Sequence, residues 1–95
     1  MNTQTTRIEV FTAPGCGKCG KAKDILKKLV EDMGADRFDW REVNILKEMD
    51  YAIELGVLST PAIAINGELT FTALPSVKQL QAKLQSCQAE ETSNE

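Results

Sequence analysis

Apolar residues along this chain follow two rhythms, every second residue or every third and fourth, and the switches between them mark the expected elements. Arg7 to Thr12, RIEVFT, puts Ile8, Val10 and the β-branched Thr12 on one face with Phe11 opposite, the pattern of a strand covered on both sides. Pro14 and Gly15 end it. Cys19, Ala22, Ile25, Leu26, Leu29, Val30 and Met33 then form one helical stripe that Gly34 stops. Lysines 21, 23, 27 and 28 fall mostly on its wet side and read as a solvated face, not a binding patch. Arg37 to Ile45, RFDWREVNI, alternates Phe38 and Trp40 against Arg41 and Val43 as a half-exposed strand, with Trp40 a packing residue and not a ligand platform.

Leu46 to Leu55 reads as a short helix with Leu46, Met49 and Ile53 facing inward and Gly56 just past its end. STPAIAINGELTFT gives two β runs joined by Asn66-Gly67, the dipeptide that best tolerates the positive φ angles of a type I′ turn. Those runs are therefore antiparallel neighbours. The last helix opens on SVKQ, a capping box in which Ser76 and Gln79 satisfy each other's backbone donors, and Val77, Leu80, Leu84 and Cys87 continue one face. QAEETSNE has no apolar period and is expected to fray. The order β-α-β-α-β-β-α implies an α/β domain: a right-handed parallel β-α-β unit, extended by an antiparallel hairpin into a four-stranded mixed sheet with helices on both faces.

Composition narrows the function. Ninety-five residues fit a single domain, 1–95, with an expected ordered core at about 7–87 and flexible polar ends. A hydrophobic content of 42% beside 26% charged residues is that of a soluble globular protein. The net charge of −3 and scattered basic residues offer no face to a phosphate backbone, so nucleic acid is not an expected partner. No apolar run approaches the ~18 residues of a membrane span, and MNTQTTR lacks a signal peptide's apolar segment. A cytoplasmic monomer, away from membranes, is the expectation. Three cysteines are too few for a secreted disulfide framework, and the absence of histidine removes the usual nitrogen ligand and general base.

Cys16 and Cys19 carry the candidate chemistry, in the stretch TAPGCGKCGKAKDIL. Cys16 falls at the expected helix start, where unpaired backbone N–H groups and the helix dipole stabilise a thiolate; Lys18, inside the loop beside Gly17, adds positive charge. Such surroundings bring cysteine from ~8.5 to roughly 3.5–7.5. Cys16 would attack a disulfide and the more sheltered Cys19 would resolve the mixed intermediate. Competing readings are weaker. A structural zinc site wants four ligands, and outside the pair only Cys87 remains. Two inert core cysteines fit poorly between flanking glycines. A soft-metal-binding or metallochaperone module is the better rival, because small copper carriers also set Cys-x-x-Cys between a first strand and helix. Those follow their second strand with a third, where Leu46–Leu55 reads as helix, and tend to carry methionine where Pro14 stands. Cys87 reads as core packing, with a regulatory or intermolecular thiol as the alternative.

Over roughly residues 7 to 87 the chain resembles the thioredoxin and glutaredoxin superfamily. APGCGKCGKAKDIL is similar to the glutaredoxin redox motif running into its helix, and GVLSTPAI to the superfamily loop that ends in cis-proline. The resemblance implies a minimal thioredoxin fold and thiol–disulfide exchange on protein or small-molecule disulfides, with no cofactor and no metal. It further implies a cis Pro61 beside the cysteine loop and a Thr60 backbone that takes a substrate segment as an added strand. Departures concern the branch. The acid thioredoxins carry six residues before the attacking cysteine is Val10 here, and their tryptophan is Gly15. Lacking that acid, the proton leaving Cys19 goes to water, Lys18 or the substrate, and slower resolution is expected. The glutaredoxin tyrosine is replaced by Gly17-Lys18, and its Gly-Gly and acid by TALPSV. The expected electron donor is a flavin-dependent thioredoxin-type reductase, with glutathione as the other possibility.

Overall fold

β1, Thr6–Thr12, can sit inside a sheet because its residues alternate between two apolar surroundings. In the computed structural model, which describes residues 5–93 and side chains through Cys87, it pairs on both edges. The other elements are α1 (Cys19–Met33), β2 (Phe38–Asn44), α2 (Met49–Leu55), β3 (Ala62–Ile65), β4 (Glu68–Phe71) and α3 (Val77–Ser93). A single 3₁₀ turn, Ala35–Arg37, leads into β2.

The sheet order is β2-β1-β3-β4. β1 and β2 are parallel, with Val10 opposite Glu42 and Thr12 opposite Asn44, as a strand-helix-strand unit requires. β3 runs antiparallel to β1, setting Phe11 opposite Ala62, and the β3–β4 hairpin turns on Asn66 at φ 53° and Gly67 at φ 83°. This is the mixed four-stranded sheet expected from the element order.

Parity along β1 divides the core. Ile8 and Val10 join Phe38, Ile63 and Ile65 beneath Ala22, Leu26, Leu29 and Val30 of α1 and Leu80 and Leu84 of α3. Phe11 joins Val43, Ala62 and Ala64 on the other face, covered by Ala52 of α2. Trp40 is half-buried against the first cluster, a packing role, and so is Cys87. At the start of α3 the Ser76 N–H donates to Gln79 Oε1 and the Gln79 N–H donates to Ser76 Oγ, both at 3.1 Å, completing the expected capping box.

Two expectations are corrected. α2 starts at Met49, not Leu46, and Leu46, Met49 and Ile53 are 59%, 51% and 66% exposed. Asn44 redirects the chain: its side-chain oxygen accepts the Leu46 N–H at 2.9 Å, and its carbonyl accepts those of Lys47 and Glu48 at 3.0 Å. The helix that follows packs through Ala52, Tyr51 and Leu55. Gly56, at φ 91°, then closes it, its N–H and that of Val57 returning to the Ala52 carbonyl. Val77 is also exposed, since the first residue of α3 lies on the outer side. The helix runs to Ser93. The expected loose ends at 1–4 and 94–95 lie outside the described residues.

Candidate active site

The cysteine loop is built from the turn chemistry of Ala13-Pro14-Gly15-Cys16. Proline fixes φ at the second position, Gly15 supplies φ 79° at the third, and the Cys16 N–H donates to the Ala13 carbonyl at 3.2 Å. Those are the marks of a type II turn. Gly17 and Lys18, both exposed, complete the loop, and Lys18 is the N-cap of α1 without a side-chain cap bond.

α1 thus begins at Cys19, and Cys16 lies before the helix, not at its first residue. The turn places it there. Cys16 and Cys19 are joined as a disulfide across a Cα–Cα distance of 5.5 Å, so the Cys16 sulfur still rests against the first residue of α1. The first helical bond runs from the Ala22 N–H to the Lys18 carbonyl at 3.1 Å, and the amides of Cys19, Gly20 and Lys21 precede that ladder. Cys16 is half-buried and Cys19 only 6% exposed, the asymmetry that sequential attack and resolution require.

The Thr60–Pro61 peptide is cis, with Pro61 buried and Thr60 half-buried. β3 begins at Ala62 opposite Phe11, so this peptide stands at the end of the sheet from which the cysteine loop departs after Thr12. Ser59 Oγ donates to the Thr72 carbonyl at 3.1 Å and anchors the preceding loop. Leu58, next to it, is 97% exposed.

Val10 is fully buried, and the carboxylate nearest to it in register is one strand over, at Glu42. Glu42 accepts a hydrogen bond from the Thr12 hydroxyl at 2.8 Å and pairs with Lys23 at 3.1 Å. The Thr12 hydroxyl first, and the Lys23 ammonium second, hold its carboxyl below the usual range. This cluster escaped sequence reasoning. Its partners lie 30 and 19 residues from it in sequence: the β1–β2 register brings Thr12 near, and α1 brings Lys23.

A second polar cluster occupies the α2 face. Glu9 accepts hydrogen bonds from the Tyr51 hydroxyl and from Arg41 Nε and Nη2, at 3.2 and 2.9 Å. Arg41 also pairs with Glu48 at 3.1 Å. An open cavity of about 330 Å³ is lined by Arg7, Ile8, Glu9, Asp39, Arg41 and Tyr51, at the far end of β1 from the cysteines. Among the described residues no group of three or more Cys, Asp or Glu could hold a metal ion, and no helix is long and apolar enough to cross a membrane.

A mixed four-stranded sheet with a Cys-x-x-Cys disulfide between first strand and first helix and a cis-proline before the third strand defines a thioredoxin-like thiol–disulfide module. Residues 6–85 match the sequence model of the family described as thioredoxin domain, and the chain belongs to that family. A probable thioredoxin from Methanothermobacter thermautotrophicus is 38% identical over 73 residues, 77% of this chain and 85% of the relative. A thioredoxin from Methanocaldococcus jannaschii is 31% identical over 74 residues, 78% and 86% of the two chains. The fold is also that of chloroplastic thioredoxin z, with a TM-score of 0.75 at 22% identity over 90% of this chain and 80% of that one. A variant thioredoxin from Halobacterium salinarum superposes with a TM-score of 0.74 at 18% identity, over 87% and 74%. At family level the protein is a thiol–disulfide oxidoreductase.

Proposed function

We propose that this chain reduces disulfides of protein substrates, and of small molecules, through the Cys16–Cys19 couple. The observation that carries the reading is the disulfide itself, one cysteine half-exposed on a loop and the other buried at the start of α1. In the reduced form the Cys16 thiolate attacks a substrate disulfide, releasing one substrate thiolate and leaving a mixed disulfide. Cys19 then loses its proton and attacks the Cys16 sulfur. The Cys16–Cys19 bond forms, the second substrate thiolate leaves and takes up a proton, and two electrons have passed from protein to substrate.

Lys18 contributes positive charge next to Cys16, and Gly17, without a side chain, leaves its sulfur open to approach. Thr60 and Pro61 receive the substrate segment, Thr60 through its backbone. The same reading has the protein act as a monomer in the reducing cytoplasm, where two of three cysteines can cycle. A thioredoxin-type reductase returns the electrons; glutathione is the competing donor.

Trapping tests the roles. Cys19→Ser should accumulate a mixed disulfide with a disulfide-bonded model protein, and Cys16→Ser should not. Equal trapping by both variants, or by neither, refutes the assignment. In the same assay, turnover of the unmodified protein should follow added thioredoxin reductase; turnover with glutathione alone would reassign the donor. Stoichiometric soft metal in reduced protein, lost in Cys16→Ser, would favour a metal carrier.

A further inference from the structure

The two arms of the cysteine loop are tied together by a residue from a third element. Glu42, on β2, accepts the Thr12 hydroxyl through Oε2 at 2.8 Å and meets the Lys23 ammonium through Oε1 at 3.1 Å. Thr12 is the last residue of β1 and buried; Lys23 lies four residues past Cys19, on the same side of α1 and one turn on. Everything between these two contacts is the redox loop and the first turn of the helix. We propose that Glu42 is a positioning residue for ring closure, holding the end of β1 against the start of α1 so that Cys19 stays behind Cys16 when no covalent bond joins them. The inference rests on the dithiol reading above.

The start of α1 has little else of its own to hold it. Its N-cap Lys18 makes no side-chain cap bond, and no acidic residue stands in its first turn. While the disulfide is closed, the covalent ring fixes the spacing of 5.5 Å between the two Cα atoms. Reduction removes that link. What then keeps the helix start in place is the burial of Cys19 and Ala22 and the clamp through Glu42. Closure is intramolecular, so its rate follows how often the attacking sulfur occupies the productive position, and small displacements are costly. The ion pair lies at a half-exposed rim, with Lys23 and Glu42 side chains 35% and 44% accessible, and only Thr12 is buried, so the expected effect is modest, about fivefold.

The test separates attack from closure. Reduced protein, in a Cys87→Ala background so that only the pair reacts, is mixed with one equivalent of an aromatic disulfide whose thiolate absorbs visible light. The first thiolate released reports attack by Cys16, and the second reports closure by Cys19 with expulsion from the mixed disulfide. Glu42→Ala should slow the second phase about fivefold and leave the first within about twofold. Glu42→Gln, which still accepts from Thr12 but loses the ion pair, should fall between. Glu48→Ala, which also removes a surface ion pair, should change neither phase. If Glu42→Ala folds poorly, Thr12→Val removes the same hydrogen bond from the other side and should slow closure in the same direction. An unchanged second phase in the clamp variants, or equal slowing of both phases, overturns the positioning role. A missing second phase before any clamp substitution would instead overturn the dithiol reading.

Discussion

The Glu9 carboxylate, only 10% accessible, sits inside the α2 face on hydrogen bonds from Tyr51 and Arg41, and Tyr51→Phe removes one of them cleanly. A phenylalanine ring keeps the other contacts of Tyr51: the ring packs on Phe11 with centroids 5.9 Å apart, beneath the Arg41 guanidinium at 5.8 Å. Only the hydroxyl donor is lost. A hydrogen bond to a charged group contributes about 1.5–3 kcal/mol. Glu9 retains two bonds from Arg41, which places the loss near the lower figure, about 1.5 kcal/mol. For a domain of this size that is a fall in melting temperature of roughly 6–12 °C. Urea denaturation of the oxidised protein should show a lower midpoint at constant slope, since the surface exposed on unfolding is unchanged. A double-mutant cycle with Glu9→Ala, which removes the acceptor, should return a coupling of about 1 kcal/mol or more. A loss below about 0.5 kcal/mol at constant slope, or no coupling in the cycle, would mean that the hydroxyl is as well satisfied by water and that the argument from burial fails.

Other outcomes follow from the same geometry. Glu42 titrates below its ordinary value, held there by Thr12 and then Lys23, so its contribution to stability is complete above the unfolded value of ~4.3 and is lost as pH falls through the lower folded one. Urea midpoints measured from about pH 7 to about pH 3 should therefore fall less steeply in Glu42→Gln than in the unmodified chain, and parallel curves would contradict it. Tyr51 is the chain's single tyrosine and is pushed above its usual range, by burial first and by the Glu9 hydrogen bond second. Its phenolate absorbance should appear at higher pH in folded than in urea-unfolded protein, and its stabilising effect, present below ~10, should vanish as pH rises through the folded value. Coincident titration curves would refute the shift. Asn66→Ala combines a strained φ of 53° with loss of the bond that the Arg7 N–H donates to Asn66 Oδ1 at 2.9 Å, a cost of roughly 2 kcal/mol by denaturation. Asn66→Gly should recover the backbone share; no difference between the two would exclude strain as the cause.

Local grammar was readable wherever the partners are close in sequence. The capping box of Ser76 and Gln79, the hairpin at Asn66-Gly67 and the stripe ended by Gly34 each depend on residues within a turn or two of one another. The two-sided strand was legible too, because Ile8, Val10 and Phe11 are apolar on both parities. The orientation of α2 was not. Leu46, Met49 and Ile53 have helical spacing, but so do Tyr51, Ala52 and Leu55, and the choice is made by the sheet beneath. That surface, Ala62 and Ala64 beside Phe11 and Val43, admits small Ala52 closely, and Tyr51 finds its acceptor in Glu9. The turns of α3 past Cys87 have a cooperative origin, since adding residues to a formed helix is far easier than starting one. At the candidate site, Cys16 and Cys19 declared themselves by spacing. Glu42 could not, because its contacts exist only after β1 and β2 have aligned.

β1 lies between β2 and β3, with Ile8, Val10 and Phe11 out of contact with solvent. Amides in such a doubly flanked strand exchange with solvent only when the whole domain opens. The redox loop is therefore rooted in the most persistent part of the molecule. The dithiol–disulfide change is made at the loop's tip, with Cys16 four residues past the last residue of this strand.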